Sequence, residues 1–328
     1  MSSPSDRVDF YLAAAHRPNT QRSYESALQH FEVTWGGLLP ATGDSVARYL
    51  ADYAGVLAVS TLKHRLAAIA KWHAQQGFVD PTRAPRVRQV LKGIKAHHGN
   101  QEKQAVPLQL TQLGQVADAL DASASQARAE RDVADERRAL RDRAFVLLGF
   151  WRGFRGDDLI SLQVEHLTFH PGQGMSCYLA DSKGDRNNAG ATFKVPLLSR
   201  WCPVDAVQQW LHASELKDGP LFRAINRWGG VSQEPLHANS LIKLLRRTFD
   251  SAGLREAESY SGHSLRRGFA GWASANGWDV KTLMEYVGWK DPQSAMRYID
   301  ARDAFGQKRI ELALPKTEAS ERDLLGES

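Results

Sequence analysis

The sequence predicts a mainly α protein in two parts: an all-helical N-terminal domain, then an α+β domain that is mostly helical and carries a small β-hairpin or sheet. Three observations predict it. The length, 328 residues with 42% hydrophobic and 24% charged, suits two globular domains of about 100–200 residues each. Apolar residues across the first hundred positions recur at helical spacing. One stretch of the second part sets two apolar, β-branched segments on either side of a turn-rich loop.

In the first part, Asn19-Thr20 offers an N-cap, and Tyr24, Leu28, Phe31 and Trp35 then share one helical face until Gly36-Gly37 and Pro40. A second helix, opened by Thr42 or Asp44, carries Val46, Tyr49, Leu50 and Tyr53 and ends near Gly55. A third runs from Ser60-Thr61 to Gly77 with Leu62, Leu66, Ile69, Ala70 and His73 inward. Arg83–Lys95 reads as a fourth, with Val87, Val90, Leu91 and Ile94 as its stripe. The segment His97–Val106, polar and followed by Pro107, has linker composition. It sets the expected domains at 1–104 and 105–328.

The second part opens with a helical pattern in Leu108–Leu120 and a charge-dense stretch from Arg128 to Arg143. A short helix closes at Leu162. Met175–Ala180 and Thr192–Leu197 read as the hairpin, its tip spanning Ser182 to Gly190. Helices follow at Val204–Ala213, Ser240–Ser251, Ser264–Ala275, Val280–Val287 and Pro292–Asp300, and a loose polar tail after Pro315.

Composition excludes several classes. Nine Trp, twelve Phe and eight Tyr supply a core, against disorder. The longest apolar runs, such as Ala144–Trp151, fall short of the roughly 20 residues a bilayer needs, and no secretory signal pattern opens the chain. Two cysteines are too few for a disulfide scaffold. A cytoplasmic protein is expected. The net charge of +5 is uneven: residues 1–105 hold 13 Lys and Arg against 8 Asp and Glu, and the remainder balances. Ser60–Gln104 concentrates nine basic residues against two acidic ones. Such a run suits a phosphate-backbone binder, although a solvated helix face has the same composition.

In the second part the candidate polar residues are, in order, Arg155, Lys183, His263, Arg266, Trp289 and Tyr298. Singly, each has an ordinary structural explanation: an ion pair with Asp158, a solvated turn lysine, a helix cap, a core indole, a half-buried phenol. Together they carry a pattern. Gly153-Phe154-Arg155-Gly156-Asp157-Asp158-Leu159 resembles the G-L-R-x-x-E-L box of the tyrosine recombinase (phage integrase) family, with Asp158 for the commoner Glu. His263-Ser264-Leu265-Arg266 resembles its H-x-L-R box. Val287-Gly288-Trp289 stands where most members have L-G-H, and Tyr298 follows Trp289 by the spacing of the family's nucleophile. Lys183 sits in the turn where the family's lysine lies, and Thr20–Trp35 and Ser60–Gly77 resemble its core-binding helices. Trp289, the stretch Ser261–Ser264 and the lack of an additional N-terminal arm-binding module narrow the resemblance to one branch.

The resemblance implies an all-helical core-binding domain, a catalytic α+β domain, and a site-specific recombinase that cleaves and rejoins DNA through a 3′-phosphotyrosine. The residue types suit that chemistry. A phenol of pKa about 10 needs activation to act as nucleophile. Two guanidiniums, Arg155 and Arg266, fit the phosphorane oxygens. Lys183 fits a general acid for the leaving 5′ oxygen, and His263 a partner for the nucleophile's proton and the phosphate. Trp289 can donate its indole N–H to the phosphate, and Asp158 orients Arg155. Neither metal, ATP nor another cofactor is called for. Arg267 and His237 are weaker candidates, His237 reading better as a helix cap.

Double-stranded DNA with inverted-repeat half-sites is the implied partner. Arg22, Lys63, His64 and Lys71 in the first domain, with His30 beside them, and Lys243, Arg246 and Arg247 in the second are the candidate DNA contacts. The resemblance further implies a homo-oligomer, a dimer on one site and a tetramer in synapse, with Ala301–Leu314 docking into a neighbouring protomer and an accessory DNA-bending protein as a further partner. Two rival readings remain open from sequence. One is a non-catalytic architectural or regulatory DNA-binding protein of the same fold, and the other is a type IB topoisomerase.

Overall fold

A computed structural model describes residues 18–99, 105–180 and 190–296. Lys183, Tyr298 and the segment Ala301–Leu314 lie outside the described residues. The chain divides into two compact units, Met1–Lys103 and Gln104–Ser328. Among the described residues no helix is long and apolar enough to cross a membrane.

Unit one is all helix: α1 (Pro18–Gln29), α2 (Gly43–Asp52), α3 (Val59–Gln75) and α4 (Pro85–His98). The Thr42 hydroxyl caps α2 by accepting from Ser45 N at 3.2 Å. The helical stripes meet in one core of Phe31, Val46, Tyr49, Leu50, Leu62, Ile69, Val87 and Ile94. His73 belongs to that core at 1% exposure. Its Nδ1 faces Ile69 O at 2.8 Å and its Nε2 accepts from Ala41 N at 2.8 Å, which fixes a neutral ring with the proton on Nδ1. One feature escapes the heptad-like spacing. After Gln29 the first helix widens into a π-helical turn, His30–Thr34, where Trp35 N reaches back to His30 O at 3.0 Å. The turn sends Phe31 into the core and lets Trp35 Nε1 donate to Asp52 at 2.7 Å.

Unit two is built around a buried hairpin of long helices, α5 (Leu110–Glu130) and α6 (Val133–Arg152). The charge-dense stretch is therefore helix interrupted once, by Arg131 in the left-handed region (φ 59) and by Asp132, whose carboxylate caps α6 through Asp135 N at 2.9 Å. From Ala139 onward α6 is buried on nearly every side, among Phe145, Phe150, Trp210, Phe222 and Phe269. It ends at Gly153, with φ +64, a conformation glycine adopts at little cost. A one-and-a-half-turn helix α7 (Gly156–Ser161) follows.

The β content is a small sheet around the expected hairpin and a second pair of strands. The hairpin strands β2 (Gly174–Leu179) and β3 (Ala191–Pro196) pair antiparallel with Cys177 opposite Phe193, and Met175, Cys177, Leu179 and Val195 point inward. A third strand, β1 (Leu167–His170), joins β2 to make a meander. A separate two-stranded sheet forms later, after α8 (Pro203–Ser214), from β4 (Arg223–Ile225) and β5 (Val231–Pro235). These strands have three to five residues, too few for an alternation to register. Four helices complete the described chain: α9 (Ala238–Ser251), α10 (Gly262–Ala275), α11 (Val280–Val287) and α12 (Pro292–Met296). His237 caps α9, its Nδ1 accepting from Asn239 N at 3.1 Å.

Candidate active site and nucleic-acid interface

Of the polar residues singled out in the second part, the described ones, Arg155, His263, Arg266 and Trp289, converge where three helices begin or end. Arg155 is the residue before α7, in extended conformation, and its backbone N–H donates to Asp158 Oδ2 at 3.1 Å. Its guanidinium Nη1 lies 3.9 Å from the same carboxylate. Asp158 is 5% exposed, and burial pushes its carboxyl above the usual range despite the nearby cations Arg155 and Arg266.

His263 and Arg266 share α10, one turn apart. Ser261 starts that helix, its hydroxyl accepting from His263 N at 3.3 Å while its own N–H donates to Ser264 Oγ at 2.9 Å. Gly262 packs against the backbone of Gly156, so the N-termini of α7 and α10 abut. His263 is exposed at this junction; Arg266 is buried at 1% exposure and donates from Nη1 to Gly153 O at 2.6 Å. The indole of Trp289, 5% exposed, lies beneath the Arg266 guanidinium with 4.9 Å from Cζ to the ring centre. Gly288, φ +74, turns the chain after α11 and delivers Trp289 there. The structure thus gathers Arg155, Asp158, His263, Arg266 and Trp289. Two guanidiniums and the positive ends of two helices face one region, an arrangement suited to an anion. Arg267, also on α10, is buried at 8% exposure.

The candidate DNA contacts fare unevenly. Arg22 and Lys63 are exposed on α1 and α3. His64 Nε2 meets Ser23 Oγ at 2.8 Å, and Lys71 Nζ lies 5.3 Å from the Tyr24 ring centre, so both side chains are engaged with α1. His30 turns into unit one instead of standing out from it. Its Nδ1 is 3.0 Å from the Tyr49 hydroxyl, which also accepts from Arg65 Nη1 at 2.9 Å. Burial and Arg65 both lower the His30 pKa. On α9, Lys243 and Arg246 are exposed, while Arg247 reaches the buried Asp142 carboxylate at 3.3 Å. Among the described residues no group of three or more His, Cys, Asp or Glu could hold a metal ion.

Arg152, at the end of α6, is a buried cation, 4% exposed, that the spacing did not single out. The signal for it was a charge closing the apolar run Ala144–Trp151, immediately before the glycine of the first box.

Residues 117–304 match the phage integrase family. Over 272 residues the chain is 30% identical to the integrase/recombinase XerD homolog of Selenomonas ruminantium, covering 81% of this chain and 76% of that protein. It is 24% identical over 282 residues to the recombinase Cre of Escherichia phage P1, covering 81% and 78%. In fold it is similar to XerH recombinase in a post-cleavage complex on palindromic difH, with TM-score 0.59, 21% identity, and coverage of 89% of this chain and 78% of that one. It is likewise similar to a lambda integrase dimer bound to a COC′ core site, with TM-score 0.59, 15% identity and coverage of 97% and 99%. The chain belongs to the phage integrase family of site-specific tyrosine recombinases, enzymes that break and rejoin DNA.

Proposed function

We propose that this recombinase cleaves duplex DNA through Tyr298. The phenolate oxygen attacks the scissile phosphorus, the bond to the 5′ oxygen breaks, and a 3′-phosphotyrosine keeps the ester energy for rejoining. Arg155 and Arg266 bind the non-bridging oxygens as charge builds on them. Lys183 gives its proton to the leaving 5′ oxygen, and His263 takes or shares the proton of the phenol. Trp289 packs the site and donates its indole N–H to the phosphate, and Asp158 holds Arg155. The observation that carries the reading is the convergence of Arg155, His263, Arg266 and Trp289 on one point through the Gly153 carbonyl and the abutting starts of α7 and α10.

The DNA is a pair of inverted half-sites, each held by unit one and unit two together. Arg22, Lys63, His64, Lys71, Lys243 and Arg246 make the contacts, and Arg247 has the weaker claim because Asp142 already holds it. Two protomers occupy one site and four form the synapse, in the cytoplasm, with Ala301–Leu314 docking between neighbours. An accessory DNA-bending protein completes the assembly. The reaction serves integration, excision or resolution of a DNA element. The test is covalent trapping on a nicked suicide substrate carrying the site. Wild-type protein forms a protein–DNA adduct and Tyr298→Phe forms none; an adduct with Tyr298→Phe removes the nucleophile assignment.

A further inference from the structure

Arg152 closes α6, directly before the Gly153–Arg155 turn. Its side chain is buried, and its Nε and Nη1 have no hydrogen-bond acceptor among the described residues. Three aromatic rings surround the guanidinium in place of a carboxylate: Tyr286 of α11 with its centre 4.2 Å from Cζ, Phe193 of β3 at 4.7 Å and Phe154 at 5.8 Å. The neighbouring acids do not neutralise it. Burial pushes the Cys177 thiol up to about 12 and the Tyr286 phenol above its usual value. The Tyr286 hydroxyl donates to Trp151 O at 2.9 Å. Burial also draws the guanidinium down to about 10, which leaves it charged at neutral pH.

A buried cation without a counter-charge is costly, and an apolar side chain of similar length would fill the same space at no such cost. The rings belong to three different elements around the site. Phe154 precedes Arg155, Phe193 belongs to the hairpin strand β3, and Tyr286 stands on α11 just before Trp289. The turn between them is held residue by residue. Arg152 is gripped by the rings, the Gly153 carbonyl by Arg266, and the Arg155 N–H by Asp158.

We propose that Arg152 is a positioning residue of the recombination site: its cation–π clamp on Phe193 and Tyr286 locks the Gly153–Arg155 turn against β3 and α11, and thereby sets where Arg155 and Arg266 point. The inference rests on the function proposed above. A shift of about 1 Å in groups that orient a reacting centre costs about 100-fold in rate, so the clamp has kinetic weight without touching DNA.

The experiment compares full-length wild type, Arg152→Met and Arg152→Lys by thermal unfolding, by affinity for the DNA site, and by the single-turnover rate of adduct formation at saturating protein. Arg152→Met keeps the volume and removes the charge. The expected result is unfolding at or above the wild-type temperature, affinity within about twofold, and adduct formation slower by about 100-fold, with Arg152→Lys recovering part of the rate. Wild-type rates in a folded Arg152→Met overturn the proposal. So does loss of affinity in parallel with rate, which marks a general packing role. Should Arg152→Met not fold, Phe193→Leu, which removes one ring and leaves the charge, decides in its place: slower cleavage at unchanged affinity supports the clamp, and an unchanged rate overturns it. If wild type itself forms no Tyr298-dependent adduct, the function reading fails first and the clamp falls with it, an outcome distinct from the variant results.

Discussion

Gly268 lies in the middle of α10, and the chain entering unit two runs across it. Leu108, 0% exposed, donates its N–H to Ser264 O at 3.0 Å, and its carbonyl group packs onto Gly268. A Cβ at position 268 would collide with the Leu108 carbonyl oxygen, with Leu108 C at 3.0 Å and with Phe150 Cε2 at 2.8 Å. Two of these atoms are backbone, so Gly268→Ala is accommodated only if the Leu108 segment lifts from α10. Overpacking of this kind costs about 1–3 kcal/mol, and the Leu108–Ser264 hydrogen bond adds about 1 kcal/mol. Alanine's better helix propensity returns about 1 kcal/mol. The net loss is about 1–3 kcal/mol. For a unit of this size each kcal/mol lowers Tm by about 2–4 °C, so the variant unfolds about 2–12 °C below wild type. Because α10 carries His263 and Arg266, adduct formation should fall as well. Scanning calorimetry reads the first effect and suicide-substrate trapping the second. A Tm that is unchanged or raised would mean that helix propensity dominates, and that the Leu108 strand yields without cost.

Three further outcomes follow from particular groups. The Asp158 carboxyl has a folded pKa above its ordinary value of 3.8; the folded chain therefore binds a proton more tightly than the unfolded one, and stability falls as pH rises from that ordinary value through the raised one. Urea titrations from pH 4 to 8 should show Asp158→Asn gaining on wild type across that window and holding its advantage above it, and parallel pH profiles for the two proteins would refute the burial argument. Cys177, with its thiol pushed up to about 12, and Cys202 are both buried. A thiol reagent at pH 8 should label Cys177 no faster than the protein unfolds, as read by mass spectrometry. Lys63 is exposed on α3, and if it meets a DNA phosphate, Lys63→Ala lowers the slope of log affinity against log salt by about 1; an unchanged slope removes Lys63 from the interface.

The sequence was most legible where structure is periodic and local. Leu62, Leu66, Ile69 and His73 fall on the buried face of α3, and the Met175 and Thr192 segments pair as read. It was least legible where short segments take their form from distant partners. β1, β4 and β5 have few residues, and their conformation comes from pairing across the sheet. The candidate site behaves in the same way. The boxes can be found by spacing, yet what joins them is Arg266 holding the Gly153 carbonyl across 113 residues of sequence. Arg152 was hidden for a related reason, since its three rings come from a turn, a strand and a helix that no local window contains. The half-buried placement of His30 followed from the π-helical turn, which a 3.6-residue repeat does not foresee.

That turn has a consequence for how the chain tolerates insertion and deletion. His30–Thr34 spends one residue more than an α-helix would between His30 O and Trp35 N. The surplus sits on the surface, where Val33 is 75% exposed. Losing a residue here would tighten the turn into ordinary α-helix and leave Phe31 and Trp35 facing their present neighbours. Losing one within residues 25–29 would instead rotate the helix before it by about 100°, carrying Ser23 and Tyr24 away from His64 and Lys71 of α3. The π-helical turn is thus the one place in the first helix where the chain length can change by a residue while the side-chain directions stay in frame.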